Sequence, residues 1–491
     1  MSQNMKRLLQ ILWMVPALLF CWSCERDYMF RGGEEGIMFS SDTVMFDTIF
    51  TSIGSATRNF RVINPYDTDL TIDLIKLAGG EDSKFRININ GVPDPELKDV
   101  HLRAGDSLYV FAEVTINPGE SSDPSFVVID SIIFQTRERI QTVKLVAYGQ
   151  DVILLRKATV GTQTLKADKP YLIYDWLIVD SSEVLTIEEG AELYFHKGAS
   201  LVVSHGASLK VMGTRENPVL FLGSRLEEWY QDKPGQWNGI SLMPGSKNHE
   251  IAYAVIKNAT VGLSVDSVGL KGGPPLRLSN TRIEHVAQQG LVAQASSIIA
   301  DNCLFGDAGS ASVALTYGGY YKFFHCTIVN YYKWKSYRNI PALLLSNYYI
   351  DKDKNKPEIR DMEEALFSNC IIWGTNPNEI GLDFEPRNKD EANYGQKFII
   401  NYKFENSLIR TQLSADILSD TKHFKEVIFN YNPAFVNYQN YNYELDTLSV
   451  AVDAGSLETA RKYPIDYKGN SRTEGDRLPD LGYIERIEQD Q

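Results

Sequence analysis

Residues 190–212 read GAELYFHKGASLVVSHGASLKVM and repeat one short unit three times. Each unit begins with Gly-Ala, at Gly190, Gly198 and Gly206, so the units follow one another at a spacing of eight residues. A short apolar stretch follows every Gly-Ala pair. Glycine at the end of a short strand favours a tight change of direction, and a repeat at a fixed period is typical of repeat architectures. This stretch therefore predicts a chain that winds repeatedly around one axis.

A second pattern runs through the C-terminal half. Five segments begin with Asn or His, have a small second residue and a large apolar fourth residue: Asn280–Ile283, Asn302–Phe305, His325–Ile328, Asn369–Ile372 and Asn406–Ile409. The small residues Thr281, Cys303 and Cys326 lie 22 and 23 residues apart, and Cys370 follows 44 residues later, two such steps. A step near 22 lies within the range of solenoid repeats. We expect one poorly patterned coil with a long loop between Cys326 and Cys370.

Equivalent positions of such an array form columns. We expect Cys303, Cys326 and Cys370 to stack inside the coils as small buried side chains. A Cys₃ metal site is the alternative, but metal-binding cysteines usually occur in close pairs and these three do not, so no metal is predicted. The asparagines that open the segments should bond backbone groups at successive corners, and His325 should replace asparagine in their column.

The N-terminal part has a different pattern. From residue 37 to about 155, apolar and polar residues alternate in short stretches separated by turn signals, as in 107–114, SLYVFAEV. Period-two patterning without a helical stretch predicts an antiparallel sandwich of immunoglobulin-like size. The turn at 104–108 and the closing strand at 143–151 resemble those of Ig-like domains that bacteria place beside larger modules. The resemblance implies a spacer or docking module.

The C-terminal part, from about residue 176 to residue 485, resembles the right-handed parallel β-helix proteins of the pectate-lyase-like superfamily. The resemblance rests on the opening repeat, on Trp237–Ile240 (WNGI) and on a closing segment with Val452–Gly455, Pro464–Asp466, Gly469–Arg472 and Pro479–Glu485. It implies a right-handed parallel β-helix. It also implies activity on polysaccharides as one option, because enzymes of this fold are polysaccharide lyases or glycoside hydrolases, although one fold hosts many functions.

Four titratable residues are the candidates for catalysis if the chain is such an enzyme: His285, Asp301, Asp307 and His325. Hydrolases need paired carboxylates and lyases need a base, and residues one step apart should meet on neighbouring coils. The Asn-Thr-Asp, Asp-Asp and Gly-His-Gly sets of polygalacturonases are absent from the sequence, however, and the Asp and Arg set of pectate lyases is not recognisable. We therefore favour a non-catalytic protein and keep the enzyme as the alternative.

Aromatic residues mark a candidate binding surface in the interrupted part of the array. Tyr and Trp residues alternate there with Lys333, Lys335 and Arg338; they are Tyr331, Tyr332, Trp334, Tyr337, Tyr348 and Tyr349. A further aromatic group, residues 431–443, includes Tyr438, Tyr441 and Tyr443. Aromatic rings with polar tips are typical of recognition surfaces, and long loops on a rigid scaffold commonly carry function. The alternative is that these rings pack within the coils.

The N-terminus has the pattern of an export signal. Lys6 and Arg7 precede an apolar run to Phe20, too short to span a membrane, and Cys21–Cys24 (CWSC) resembles a lipoprotein processing site. This predicts a signal peptide at 1–23, a lipid on Cys24 and a tether at 24–36; ordinary secretion is the alternative. With 49 Lys and Arg against 63 Asp and Glu, the net charge of −14 argues against a nucleic-acid partner. The sequence has no phosphate-binding glycine loop, and no cofactor is predicted.

Together these observations predict an all-β protein: an Ig-like antiparallel sandwich at 37–155, then a right-handed parallel β-helix with its closing segment at 156–491. The predicted function is that of a non-catalytic binding or scaffold protein at the outer membrane of a Gram-negative bacterium, with the lipid as membrane anchor and the aromatic loops as the recognition surface. A purely architectural surface protein is a further alternative. The predicted partner is a glycan or an outer-membrane protein complex. The sequence does not distinguish the cell surface from the periplasmic face.

Overall fold

The structure is a computed structural model and describes residues 36–51, 54–116, 125–137, 139–334, 338–351, 356–385, 398–474 and 477–487. The predicted signal peptide, Cys24, the tether up to residue 35, and Tyr337 lie outside these ranges. The chain divides into two compact units between Asp151 and Val152, whereas the sequence places this boundary after residue 155.

Nine strands form the first unit, and they pair into two sheets. The strands are β1 Met38–Phe39, β2 Thr43–Phe50, β3 Arg58–Ile63, β4 Leu70–Leu77, β5 Phe85–Ile89, β6 Glu96–Leu102, β7 Ser107–Val114, β8 Ser125–Gln135 and β9 Ile140–Gln150. One sheet has the order β1-β3-β7-β5 and the other β2-β9-β8-β4-β6. All described pairings are antiparallel except that of β2 with β9, which is parallel. The predicted sandwich is confirmed.

The core of the sandwich lies between its two sheets. Alternate residues point to opposite faces of a strand, so the period-two pattern places one set of side chains inside. In β7, Leu108, Val110, Ala112 and Val114 are all buried. The rings of Phe39 and Phe134, from strands of different sheets, are 4.9 Å apart.

The second unit consists of short strands and a few short helices. The strands are β10 Ile153–Val160, β11 Gln163–Leu165, β12 Tyr171–Val179, β13 Val184–Glu188, β14 Glu192–Phe195, β15 Ser200–Val203, β16 Ser208–Met212, β17 Val219–Gly223, β18 Gly239–Leu242, β19 Glu250–Ala252, β20 Ala254–Lys257, β21 Leu263–Asp266, β22 Leu276–Ser279, β23 Arg282–Val286, β24 Leu291–Asp301, β25 Leu304–Ala308, β26 Val313–Phe324, β27 Thr327–Asn330, β28 Leu343–Ser346, β29 Tyr348–Asp351, β30 Lys356–Ile359, β31 Met362–Ser368, β32 Ile371–Gly374, β33 Ile380–Asp383, β34 Ile400–Glu405, β35 Leu408–Ile409, β36 Phe424–Lys425, β37 Ile428–Phe429, β38 Phe435–Asn437 and β39 Asn442–Leu445. The α-helices are α1 Ala415–Leu418 and α2 Leu457–Lys462, and 3₁₀ turns lie at Glu228–Tyr230, Leu270–Gly272 and Tyr438–Asn440. The first unit has one further 3₁₀ turn among its described residues, at Gly80–Asp82.

Parallel pairing between successive coils arranges most of these strands in three sheets, whereas β29 pairs with β30 and β38 with β39 in separate antiparallel pairs. Strand β10 pairs in parallel with β12 at the start of the array. Sheet A contains β12, β14, β17, β20, β23, β25, β27, β32, β35 and β37; sheet B contains β12, β15, β18, β21, β24, β26, β28 and β33; sheet C contains β11, β13, β16, β19, β22, β24, β26, β31, β34 and β36. The long strands β12, β24 and β26 bend from one sheet into the next, with a positive φ at Asp175, Ala295 and Tyr317. This is the predicted parallel β-helix, and parallel connections within one sheet are right-handed in nearly all proteins.

Each eight-residue unit of the sequence forms one strand, and three successive units supply one strand to each of the three sheets. The three Gly-Ala units form β14, β15 and β16, which belong to sheets A, B and C in turn. Gly190, Gly198 and Gly206 have φ values of 74°, 79° and 74°. Residues other than glycine rarely adopt this left-handed conformation, which explains why glycine opens each turn.

The Asn column lies at the corner that leads into sheet A, here called the first corner. Its members Asn280, Asn302, His325, Asn369 and Asn406 all have left-handed φ values, between 42° and 55°. Asparagine tolerates this conformation better than most residues, and His325 takes its place as predicted. The free cysteines 303, 326 and 370 follow this corner and are fully buried.

The span between Cys326 and Cys370 contains a single enlarged coil. Strand β27 pairs directly with β32, so the 44-residue step adds one rung to sheet A and not two. The additional described residues are 331–334 and 338–342, between β27 and β28, and the antiparallel strands β29 and β30.

A closing segment, residues 433–487, folds back over the first corner. The side chain of Asn369 donates to Ser456 O (3.1 Å) and accepts from Ser456 N (2.8 Å). Asn302 Nδ2 donates to Ile465 O at 2.9 Å. Asn302 and Asn369 therefore do bond backbone groups, but those of the closing segment and not of successive corners as predicted, whereas Asn406 Nδ2 donates to the side chain of Glu426.

The charged residues of the closing motif form a buried network. Arg472 pairs with Glu485 and also donates to Asn302 Oδ1 at 3.0 Å. Asp466 Oδ2 accepts from Glu485 N, and Asp480 Oδ2 accepts from Arg486 N, both at 2.7 Å. A buried charge is costly unless it is paired and hydrogen-bonded, so these residues have a structural role in holding the closing segment.

Candidate functional site

Polar residues also form a column where the strands of sheet A end, here called the second corner. In the register of the parallel strands, Lys257 pairs with Glu284. The two residues that flank His285 pair with the two that flank Asp307. His285 and Asp307 thus occupy equivalent positions on adjacent coils, about 4.8 Å apart along the β-helix. Both have a positive φ, 54° and 55°. The structure therefore brings together two of the four predicted catalytic candidates.

Asp307 is almost completely buried. Its Oδ2 accepts a hydrogen bond of 2.7 Å from Tyr443 Oη, and its Oδ1 accepts one of 3.1 Å from Tyr331 N. Burial raises the pKa of Asp307 to about 7, even though these two hydrogen bonds favour the ionised form. At neutral pH the carboxyl group can therefore either hold or release a proton.

Glu284, on the neighbouring coil, is buried and paired. Arg282 Nη2 donates to both carboxylate oxygens of Glu284, at 2.8 and 3.0 Å. Burial raises the pKa of Glu284, but the nearby positive charges, that of Arg282 above all, bring it below its usual value. Glu284 is therefore a carboxylate neutralised by a fixed guanidinium.

His285 lies beneath an aromatic ring. Its Nε2 is 3.5 Å from Asp232 Oδ1, which also pairs with Lys257 Nζ at 2.9 Å. The ring of Tyr441 meets the imidazole edge to face, with 4.2 Å between the centroids. Burial lowers the pKa of His285 to about 4, so this histidine is neutral at pH 7. Tyr441 thus covers His285, and Tyr443 covers Asp307, so both groups are almost without solvent contact.

The other two catalytic candidates lie at the first corner. His325 is fully buried, with Nε2 3.0 Å from Asn369 Nδ2, and burial together with Arg472 lowers its pKa far below the usual value. Asp301 accepts from Ser279 Oγ at 3.0 Å, and burial raises its pKa to about 6. A strand of about five residues, roughly 17 Å, separates the two corners, so the structure does not bring all four candidates into one site.

An open groove continues the second corner along the last coils of sheet A. Its volume is about 570 Å³, and it is lined by Tyr331, Trp373, Pro377, Arg410, Thr411, Gln412, Asn430, Asn432 and Tyr438. Every lining residue except Tyr438 lies in, or shortly after, one of the strands β27, β32, β35 and β37. The only charged lining residue is Arg410. The groove therefore combines flat aromatic faces with amide and hydroxyl groups.

Stacked rings form one wall of the groove. Tyr331 stacks on Tyr438, with 4.5 Å between the centroids, and its other neighbour is Tyr443 at 6.0 Å. Across the groove, the guanidinium of Arg410 lies 5.3 Å from the centroid of Trp373, and Arg410 Nη1 donates to Gly374 O at 2.6 Å. Because Tyr331 N also binds Asp307, the groove directly adjoins the covered acid.

A buried ion pair joins Arg338, which precedes β28, to Glu379, which precedes β33. Arg338 Nη2 lies 2.5 Å from Glu379 Oε1, and Glu379 also accepts from Ala342 N and Asn376 N, each at 2.8 Å. Burial raises the pKa of Glu379, and Arg338 opposes this shift. Glu379 is therefore a fully buried carboxylate that holds Arg338 and the backbone at Ala342 and Asn376.

The predicted aromatic residues occupy two separate places. Tyr331, Tyr332 and Trp334 lie in the loop after β27, next to the groove. Tyr348 and Tyr349 belong to the hairpin that follows sheet B, where Tyr348 Oη donates to Asp383 Oδ2 at 2.9 Å and Tyr349 packs edge-on against Tyr317. Among the described residues of the predicted loop set only Tyr331 lines the groove, and Tyr438, from the further aromatic group, lines it as well.

Four groove residues were not predicted from the sequence: Trp373, Arg410, Asn430 and Asn432. Trp373 directly follows the repeat segment Asn369–Ile372. Its place immediately after the fourth residue of the repeat could have identified it as lying where the strand ends. The other three come from strand ends that only the coil stacking brings together.

Neither a metal-binding cluster nor a membrane-spanning helix is found among the described residues. No group of three or more His, Cys, Asp or Glu side chains is arranged to hold a metal ion in the described ranges. Within the same ranges, none of the helices has the length and apolar character needed to cross a membrane.

No protein-family model matches the chain, and no curated protein matches it. Among solved structures it is similar to the enzymatically active domain of tailspike protein 2 of bacteriophage CBA120, at 10% identity and a TM-score of 0.32, over 64% of this chain and 54% of the tailspike chain. It is also similar to a family 123 glycoside hydrolase from Clostridium perfringens, at 8% identity and a TM-score of 0.17, over 23% of this chain and 26% of the hydrolase. The chain therefore spans about half of one protein and a quarter of the other. Similarities this weak assign neither a family nor an activity.

Proposed function

We propose that the β-helix is a non-catalytic glycan-binding module and that the groove at Tyr331, Trp373 and Tyr438 is its binding site. The observation that carries this proposal is the contrast within the second corner. The aromatic groove is open, whereas His285, Glu284 and Asp307 are covered.

The chemistry of the groove suits a sugar chain. A pyranose ring has an apolar face of C–H groups and a polar edge of hydroxyl groups. Ligand sites typically combine apolar and aromatic walls with a few precisely placed polar groups. In the groove, Trp373 and Tyr438 provide flat faces, while Gln412, Asn430 and Asn432 provide amide donors and acceptors.

The proposal includes export and anchoring. The protein carries a lipid on Cys24 and is held at the outer membrane, with its partner being a glycan or an outer-membrane protein complex. The support is the CWSC processing pattern at residues 21–24. Metabolic labelling with a palmitate analogue tests it: the unaltered protein should incorporate label and Cys24→Ser should not. Label that persists in Cys24→Ser would contradict the anchor.

Glycan arrays with the full-length protein in detergent test the binding function. The test ligand is the array glycan that the unaltered protein binds most tightly. Tyr438→Ala and Arg410→Ala should each weaken its binding at least tenfold, which is about 1.4 kcal/mol. Tyr148→Ala is the matched control, because it removes an exposed tyrosine from the sandwich. A protein that binds no array glycan, with pull-downs from outer-membrane extract also empty, would refute the proposal.

A second candidate function is a polysaccharide lyase or glycoside hydrolase. The observation in its favour is Asp307, which lies directly behind Tyr331 and has a pKa near 7, as a general acid requires. Incubation with a polysaccharide panel, followed by assays for unsaturated and reducing ends, distinguishes the two functions. Turnover that Asp307→Asn abolishes would replace the binding function by the enzymatic one.

A further inference from the structure

A second aromatic feature lies outside the groove, in the loop between β17 and β18. Trp229 of this loop is 67% exposed. Tryptophan is among the residues that are most buried on average, so an exposed indole on an ordered loop needs an explanation.

The loop is held rigidly by two buried amides. Gln236 Nε2 donates to Tyr230 O (2.6 Å) and to Lys233 O (2.9 Å). Asn258 Nδ2 donates to Gln231 O (2.9 Å) and to Lys233 O (3.1 Å). Trp229 itself makes none of these bonds, so the network fixes the backbone that presents the indole without burying it. Such pre-organisation reduces the entropy cost of binding.

A second indole completes the feature. Trp334 is 39% exposed, and its ring meets that of Trp229 at 79° with 5.7 Å between the centroids. Trp229 follows β17 and Trp334 follows β27, which lie four coils apart in sheet A, about 19 Å. The two loops therefore reach along the β-helix to form one L-shaped surface of two indole faces.

This pair is continuous with the groove. Trp334 lies three residues after Tyr331, at most about 11 Å of chain. Between them, Lys333 donates to Gln439 O and places Nζ 4.2 Å from the ring centroid of Tyr441. On the far side, Lys233 Nζ lies 6.0 Å from the Trp229 ring. The indole pair is thus flanked by Lys233 on one side and by Lys333 with Tyr441 on the other, and Lys333 belongs to the same short segment as the groove residue Tyr331.

We infer that Trp229 and Trp334 form a second sugar-ring subsite, and that one extended glycan chain occupies this subsite and the groove together. The inference rests on the proposed function and adds to it a ligand class: a polysaccharide bound along its length, over several coils, and not by its end. One indole stacks on a sugar face and the other borders the ring, while Lys233 and Lys333 contact hydroxyl or acidic substituents.

The experiment measures affinity against chain length. Size-fractionated oligosaccharides are prepared from the array polysaccharide that the full-length protein binds most tightly. For the unaltered protein, affinity should rise with length to a plateau. Trp229→Ala should weaken the longest fraction at least tenfold and leave the shortest bound fraction unchanged, whereas Tyr438→Ala should weaken all fractions. Trp229→Phe should recover part of the loss, and Tyr148→Ala should behave like the unaltered protein.

Two results would overturn the inference alone: Trp229→Ala binding every fraction as tightly as the unaltered protein, or losing affinity equally for the shortest and the longest. In both cases the groove retains its glycan and the proposed function stands. If the unaltered protein binds no glycan, the proposed function and the inference fail together. Capture of an outer-membrane protein that depends on Trp229 but not on Tyr438 would also overturn the inference, since the indole pair would then be a protein contact.

Discussion

Tyr443 Oη donates a hydrogen bond of 2.7 Å to Asp307 Oδ2, although 136 residues separate the two in the chain. The bond joins the closing segment to the second corner and forms part of the cover over Glu284, His285 and Asp307. The closing segment therefore does more than end the β-helix, because it decides which polar groups solvent and ligands can reach.

The first prediction concerns the dependence of stability on pH. The folded-state pKa of Asp307, about 7, exceeds the unfolded value of about 3.9. The folded state therefore binds more protons between these pH values. The stability from this group is fully present below about pH 4 and is lost as the pH rises to 7. Asp307→Asn should remove this loss, which amounts to at most about 4 kcal/mol at pH 7.

The measurement is the free energy of unfolding of the unaltered protein and of Asp307→Asn from pH 4 to pH 8. Tryptophan fluorescence reports on the β-helix, because the described tryptophans all lie in the second unit. Glu485 and Asp301, with pKa values of about 7 and 6, titrate in the same direction, so the difference between the two proteins is the relevant quantity. A difference that does not change with pH would contradict the prediction.

The second prediction concerns the pair of Arg338 and Glu379. Glu379→Gln leaves the guanidinium buried without its countercharge, and removal of one partner of a buried pair typically costs about 3–5 kcal/mol. Arg338→Met combined with Glu379→Gln should cost less than the sum of the single changes, because the double variant leaves no unpaired buried charge, although the single glutamine oxygen can accept from only one of Ala342 N and Asn376 N. Lys462→Ala, which breaks an exposed pair with Glu458, is the control and should change stability by less than about 1 kcal/mol. If the loss of stability in the double variant equals the sum of the two single losses, the two side chains are not coupled.

The third prediction separates two roles of Asn369. Its left-handed backbone, with φ of 55°, strains other L-residues by about 1–2 kcal/mol, and its side chain holds Ser456. Asn369→Gly should lose only the hydrogen bonds, whereas Asn369→Ala should also suffer the backbone strain and be the less stable. Hydrogen exchange around residue 456 should accelerate in both. Equal stability of the two variants would exclude a backbone contribution.

The fourth prediction concerns Arg410 in the groove. A lysine cannot stack on Trp373 with a planar group or keep the same geometry toward Gly374 O. Arg410→Lys should therefore weaken glycan binding nearly as much as Arg410→Ala, by at least tenfold, with an unchanged thermal midpoint. Binding isotherms measured at two salt concentrations provide the check. If lysine restores full affinity, Arg410 contributes only its charge.

Much of the fold was predictable from local patterns. The coils are identified by the period of eight and by the small and large positions of the repeat segments. Each coil must place side chains of the same size at the same points of a narrow interior. The left-handed corners were also predictable, since glycine and asparagine are the residues that tolerate that conformation. The 44-residue step was harder to interpret, because an insertion between Cys326 and Cys370 has the same length as a further coil.

The candidate site was predictable only in part. Tyr331 and Trp334 stand out as aromatic residues in an insertion. Arg410 and Asn430 carry no such signal, because they acquire a shared position only when their strands stack. Trp229 is likewise a single indole in an ordinary loop until the distant Trp334 meets it.

The sequence by itself determined the coiled fold. The side chains at the repeat positions make the same contacts in every coil, and the turn residues adopt the same backbone torsions. Only the tertiary structure decided which polar groups are accessible. The pKa of Asp307, the covering of His285 by Tyr441 and the opening of the groove beside Tyr331 all depend on where the closing segment lies. That position follows from the burial of Arg472, Glu485 and their partners against residues more than a hundred positions earlier, and no local pattern encodes such a contact.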